Sequence, residues 1–160
     1  MEVTIELVKA NLLFGIKTNT ALHTANTGVL WRTFMQNKQN IENQIQGNLY
    51  SVEVYPVDYF NSFDPNKIFE KWAAAEVSKH TQILNGFENF VIPEGLYAKF
   101  LYRGHPQMAQ ESFAYIFNTW LPNSIYVLDY RPHFEVMDHR YKNNDTNSEE
   151  HFYIPIKPRT

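Results

Sequence analysis

The stretch Leu96-Tyr97-Ala98-Lys99-Phe100-Leu101-Tyr102-Arg103-Gly104, with the segment from Pro106 to Leu121 behind it, decides the fold. The first nine residues are rich in strand formers and are closed by a glycine, so they read as a β-strand. Beyond Pro106 the period changes. Phe113, Ile116, Phe117, Trp120 and Leu121 recur at three- and four-residue steps, which marks one face of a helix. Pro106 suits a helix start and Pro122 forbids its continuation, so this helix has both ends marked.

Downstream, His133-Phe134-Glu135-Val136-Met137 and His151-Phe152-Tyr153-Ile154-Pro155-Ile156 read as strands, separated by a polar loop from Asp138 to Glu150. Upstream, the same order of elements appears. Leu12 to Thr18 forms a strand, and Leu30, Trp31, Phe34, Met35 and Ile41 place a helix over about Thr27 to Asn43, with Asn26 or Thr27 as its cap. Leu49 to Tyr55 and Ile68 to Val77 follow as strands, although the run Ala73-Ala74-Ala75 also suits a helix. The loop between them carries Pro56, Asn61, Asp64 and Pro65, and Val91-Ile92-Pro93-Glu94-Gly95 reads as a turn leading into the second half. Strand, helix, strand, strand therefore occurs twice, over about 8–77 and about 95–157. This order predicts one α+β domain spanning 1–160 and built from a duplicated β-α-β-β unit, in preference to a βαβ nucleotide fold. The six glycines form neither G-x-G-x-x-G nor G-x-x-x-x-G-K-[ST].

Composition narrows the function. The 160 residues are 44% hydrophobic and 19% charged, the balance of a globular chain, and no apolar run reaches the length of a membrane span. A net charge of −3 and only 14 scattered Lys and Arg argue against a nucleic-acid surface. The absence of cysteine removes disulfides, thiolate nucleophiles and Cys-ligated zinc. Met1-Glu2-Val3-Thr4-Ile5-Glu6 lacks the pattern of a signal peptide, which makes the cytoplasm the expected compartment. The histidines at 23, 80, 105, 133, 139 and 151 show no metal-ligand spacing, and His133, Asp138 and His139 read as polar residues at loop edges. No serine stands in G-x-S-x-G. Neither a metal nor a cofactor is expected.

Alternation along the strands separates two faces. One collects Val52, Val54, Ala73, Ala75, Val77, Ala98, Phe100, Phe134, Val136, Phe152, Ile154 and Ile156, the set that two amphipathic helices would cover. The other collects Glu53, Tyr55, Trp72, Glu76, Tyr97, Glu135, Met137 and Tyr153, more rings than a solvated face carries. With 10 Tyr, 12 Phe and 3 Trp in the chain, part of the aromatic load is expected to line a cavity. Rings interspersed with carboxylates suit an amphipathic molecule, often cationic or planar. Glu135, between Phe134 and Val136, is the sharpest position, either a pocket acid or a solvent-facing residue of an open sheet.

Three segments of the second half, Trp120-Leu121-Pro122-Asn123-Ser124, Pro132-His133-Phe134-Glu135-Val136-Met137-Asp138 and Tyr153-Ile154-Pro155-Ile156-Lys157, together with Gly95-Leu96-Tyr97-Ala98 and Arg103-Gly104, carry a resemblance. In them the chain resembles the gyrase-inhibitor-like effector-binding domain family, which includes ligand domains of multidrug-responsive transcription regulators. The resemblance implies a pseudo-twofold fold, an antiparallel sheet with two helices on one face and a ligand groove on the other. It also implies Glu135 as the pocket acid, and Tyr55, Trp72, Tyr97, Met137 and Tyr153 as ligand-binding neighbours. Three functions follow from it. The first is capture or sensing of hydrophobic, often cationic or aromatic compounds, without direct contact to nucleic acid or membrane. The second is hydrolysis of cyclopropanoid genotoxins, with Glu135, Tyr97 and Tyr153 as catalytic groups and Trp72 stacking on the substrate. The third is inhibition of a gyrase-like protein partner.

Overall fold

The computed structural model describes residues 1–24, 27–80 and 82–160. Its strands are β1 (Val3–Val8), β2 (Asn11–Thr20), β3 (Gln44–Val54), β4 (Phe69–Val77), β5 (Glu88–Ile92), β6 (Gly95–Arg103), β7 (Tyr126–Leu128), β8 (His133–Met137) and β9 (Glu149–Pro158). Eight of them form one antiparallel sheet in the order β1-β6-β9-β8-β3-β4-β2-β5, and β7 pairs with the end of β9. Helix α1 (Gly28–Asn37) packs on β2 and β4. Helix α2 (Ala109–Tyr115) continues through a π-helical stretch, Ile116–Trp120, into a last turn, Leu121–Asn123. This is an α+β fold. Its two units, β2-α1-β3-β4 and β6-α2-β8-β9, meet where β3 pairs with β8 at the centre of the sheet.

The elements follow the expected order with a few differences. Helix α1 ends at Asn37, and a single 3₁₀ turn, Lys38–Asn40, carries the chain to Ile41. Asn26 lies outside the described residues, and Thr27 occupies the N-cap position without a capping side-chain bond. The alanine run is strand, paired on both sides by β2 and β3. Val91 and Ile92 belong to β5, so the turn between β5 and β6 shrinks to Pro93 and Glu94. The two edge strands β1 and β5, together with β7, extend the duplicated unit.

On the helix-bearing side the apolar side chains form two separate clusters. Leu30 and Phe34 of α1 cover Phe14, Ile16, Ala73, Ala75 and Val77, and Ile116 with Phe113 covers Ala98, Phe100, Phe152, Ile154 and Ile156. Burying each such large side chain contributes about 1.5–3 kcal/mol. The other side of the sheet holds a single cluster of Val8, Leu13, Tyr50, Val52, Trp72, Ala74, Ile92, Tyr97 and Phe134. Its members come from both ends of the strand order, so the sheet curls around them. The Gly95-Leu96-Tyr97 segment has a local reason. The Arg131 guanidinium lies 4.8 Å from the centre of the Tyr97 ring and donates to the carbonyls of Leu96 and Ile156. A Cβ at position 95 would displace this guanidinium from its place on Tyr97.

Candidate functional site

Strand register fixes which side chains share a face. Val52 pairs with Phe134 on one neighbour and with Trp72 on the other, and Phe134 pairs with Tyr153. Glu135 pairs with Ser51 and Phe152, and Ser51 pairs with Ala73. Glu53 pairs with His133 and Lys71. Hence Glu53, Glu135 and Met137 lie on the helix-bearing side, while Val52, Val54, Phe134 and Val136 lie opposite, the reverse of the faces read for β3 and β8 from alternation. The assignments for β4, β6 and β9 agree with the reading. The reason for the reversal is that both faces of the two central strands are covered. Apolar character therefore does not mark the helix side there.

The six residues expected around one ligand are divided by this sheet. Glu135, Tyr55 and Met137 stand on the helix-bearing side, and Trp72, Tyr97 and Tyr153 belong to the cluster on the other. The Tyr97 hydroxyl donates to the Pro132 carbonyl at 2.8 Å, and Tyr153 stacks on Phe134 at 4.4 Å. Neither reaches Glu135. Trp72 donates its indole N–H to Glu70 at 2.6 Å beneath the Lys17 ammonium.

Around Glu135 the structure gathers groups from four strands. Glu53 and Glu135 lie diagonally on either side of the Val52–Phe134 pair, 5% and 8% exposed. Lys71 of β4 reaches both, with Nζ 2.5 Å from Glu53 Oε2 and 3.5 Å from Glu135 Oε1. Glu150 of β9, also buried, lies within electrostatic reach of Lys71 and Glu53. Burial, then the charge of Glu53, pushes the Glu135 carboxyl well above the usual carboxylate range against the pull of Lys71. Burial pushes Glu150 up to about 7. Burial opposes the charged form of Lys71, yet Glu53 and Glu135 outweigh it and hold the ammonium charged. A lysine so held is no nucleophile. Three acids face one cation, so the cluster carries an excess of negative charge or retains a proton to suppress it.

Rings close this cluster. Tyr55 lies edge-on to His133 at 4.9 Å and packs on Tyr59 and Phe69. Phe60, from the 3₁₀ turn Tyr59–Asn61, stacks on His133 at 5.5 Å and on Phe117 at 5.3 Å. Phe117 belongs to the π-helical stretch, whose extra residue per turn departs from the expected α-helix at the point where α2 meets the site. His133 is buried and held neutral, its pKa lowered to about 3 by burial, in contrast to the loop-edge position read for it. The Tyr55 hydroxyl is pushed up by burial and then by Glu53 and Glu135. From the loop 138–148 between β8 and β9, Tyr141 comes within electrostatic reach of Glu150, Lys71 and Glu135. Arg140 pins that loop by donating to both Asp138 oxygens, to Oδ1 at 3.1 Å and to Oδ2 at 2.7 Å, and by pairing with Glu149. Among the described residues no group of three His, Asp or Glu side chains is arranged to hold a metal ion, and no helix is long and apolar enough to cross a membrane.

Sequence reading did not single out Lys71, Glu150, Phe60, Phe117 or Tyr141 for this site. A signal existed for two of them. Lys71 is in phase with Ala73 and Ala75, and Glu150 is in phase with Phe152 and Ile154, so each is a charged residue on a stripe otherwise read as buried.

No curated protein sequence matches the chain. Among solved structures, it is similar to SAV2435 bound to tetraphenylphosphonium, with a TM-score of 0.76 and 13% identity over 98% of this chain and 94% of that one. It is also similar to EcmrR in a complex with DNA, with a TM-score of 0.73 and 9% identity over 99% of this chain and 58% of that one. A hydrolase from Listeria innocua follows at a TM-score of 0.62 and 9% identity over 98% and 92% of the two chains. At these identities the likeness is one of fold. The model of the GyrI-like small molecule binding domain matches residues 1–157, and the chain belongs to that family.

Proposed function

We propose that the protein captures lipophilic cations and planar aromatic compounds of similar size, with Glu135 as the counter-charge and Tyr55, Phe60 and Phe117 as the rings that receive the apolar body. The observation that carries this reading is the cluster of three buried acids, Glu53, Glu135 and Glu150, set against the single ammonium of Lys71. A buried excess of carboxylate is costly unless it is protonated or meets a cation, so a ligand that brings positive charge up to these carboxylates relieves a cost the fold already carries. Aromatic faces within about 6 Å add cation–π attraction and bury the ligand's apolar surface. The entry side is marked by Phe60, the outermost ring of the cluster and 42% exposed. The similarity to SAV2435, whose structure contains tetraphenylphosphonium, supports the choice of probe.

The test is calorimetric titration with tetraphenylphosphonium. Wild type is expected to bind with favourable enthalpy, and Glu135→Gln is expected to weaken binding by a factor of ~30 or more, about 2 kcal/mol, while remaining folded. Equal affinity in the two proteins contradicts the reading. A second reading, hydrolysis of strained electrophiles, draws on one observation, the buried Glu135 carboxyl beside Glu53, shifted by burial and by that neighbour toward its protonated form. Its catalytic set reduces to Glu135 with Tyr55, since Tyr97 and Tyr153 stand across the sheet. Mass spectrometry of a cyclopropane-containing alkylator incubated with the protein is expected, on that reading, to reveal a product heavier by one water, formed by wild type and not by Glu135→Gln.

A further inference from the structure

We propose that Lys71 is a built-in occupant of the cation site, its ammonium standing between Glu53 and Glu135 where a ligand's charge would stand, so that a cationic ligand binds only by displacing it. This rests on the capture reading above and adds to it the residue that sets selectivity between charged and uncharged ligands.

The geometry has three parts. Lys71 projects from β4 beside Glu53 and extends diagonally across β3 to Glu135 on β8, past the small side chains of Ser51 and Ala73. Its side chain is 14% exposed, an unusual depth for a strongly hydrated ammonium, and it is kept charged there by the same two acids that a ligand would use. Glu150 lies close enough to influence it, so an ammonium pushed aside remains in a negative field and is not driven into an apolar wall. Lysine suits such a role because its four-carbon stem is flexible and its charge is compact, whereas an arginine would be fixed by its planar fork. Displacement acts on charged ligands alone. An uncharged aromatic compound can lie against Tyr55, Phe60 and Phe117 with the Lys71 ion pairs intact, so it meets no competition from the lysine.

The experiment compares wild type with Lys71→Gln, using tetraphenylphosphonium as the cation and triphenylphosphine oxide as the uncharged probe, by calorimetry. Lys71→Gln is expected to tighten tetraphenylphosphonium binding at least tenfold and to change triphenylphosphine oxide binding less than twofold. Tetraphenylphosphonium binding that Glu135→Gln abolishes and Lys71→Gln leaves unaltered or weakens overturns the inference while capture stands. No binding to either protein overturns both. A second measurement covers failure of the variant to fold. In wild type labelled with ¹⁵N-lysine, the Lys71 ammonium signal is expected to be protected from exchange and to shift and lose protection on adding tetraphenylphosphonium. A bound state in which that signal keeps its position and protection overturns the inference.

Discussion

The Val52–Phe134 pair has different neighbours on the two sides of the sheet. On the curled side, Tyr50, Trp72, Tyr97 and Tyr153 surround it; Lys17 over Trp72, paired to Glu70 and Glu88, and Lys99 over Tyr153, paired to Glu6, sit toward water, and the largely buried Arg131 on Tyr97 is paired one to one with Asp129. On the helix-bearing side, one residue further along each strand, Glu53 and Glu135 meet Lys71 with little exposure to solvent. Rings, acids and lysines occur on both sides. What differs is how the buried charges are balanced, one acid beside Arg131 against three around Lys71. Exposed pairs are screened and contribute little, whereas buried charges that do not balance must bind a proton or a counter-ion. The curled side is therefore a core with a polar rim, and the helix-bearing side carries an electrostatic debt between its two apolar clusters.

The largest expected effect breaks the core side. Phe134→Ala removes a ring that is 1% exposed and stacked on Tyr153, and it is expected to cost about 3–5 kcal/mol in urea unfolding. A loss below 1 kcal/mol would mean the curled side is loosely packed.

Next comes the acidic side, read through pH. Glu150 has its folded-state pKa raised to about 7 by burial. A raised pKa means that the folded chain holds a proton that the unfolded chain releases. Its contribution is thus fully present below about 4.5 and is lost as pH rises to about 7. Glu150→Gln is expected to remove this loss, gaining about 3 kcal/mol relative to wild type between those limits. The difference between the two proteins is the quantity to follow, because His133, held neutral, produces the opposite slope in wild type as pH falls below about 6.5. Parallel pH profiles would place Glu150 in water.

The smallest effect belongs to the outer lysines. Lys17→Met and Lys99→Met are each expected to change stability by less than about 1 kcal/mol, since their partners lie at 3.6–3.7 Å with side chains 29–50% exposed. A loss above 2 kcal/mol in thermal unfolding would erase the contrast between the two sides.

This contrast also explains how far sequence carries. The β6 strand and the α2 helix announce themselves through an abrupt change of period between Arg103 and Phe113, and the duplicated order follows from them. Glu135 stands out because a carboxylate between Phe134 and Val136 has no ordinary use in a core. Its face does not stand out, since alternation assigns a face only when one side is wet, and β3 and β8 are covered on both. The edge strand β1 has Ile5 and Leu7 exposed and escapes a reading based on burial. The π-helical turn at Ile116–Trp120 leaves no mark in the sequence, where its apolar spacing looks α-helical. Lys71 and Glu150 come together only through strand order, which places β4 and β9 on either side of the β3–β8 pair.

The most direct test is a crystal structure of the complex with tetraphenylphosphonium. The phosphonium is expected on the helix-bearing side, among Tyr55, Phe60 and Phe117, with the Glu135 carboxylate as its nearest acid and the Lys71 ammonium moved off Glu135. A ligand seated on the curled side against Trp72, Tyr97 and Tyr153, with the Glu53–Lys71–Glu135 contacts unchanged, would contradict this.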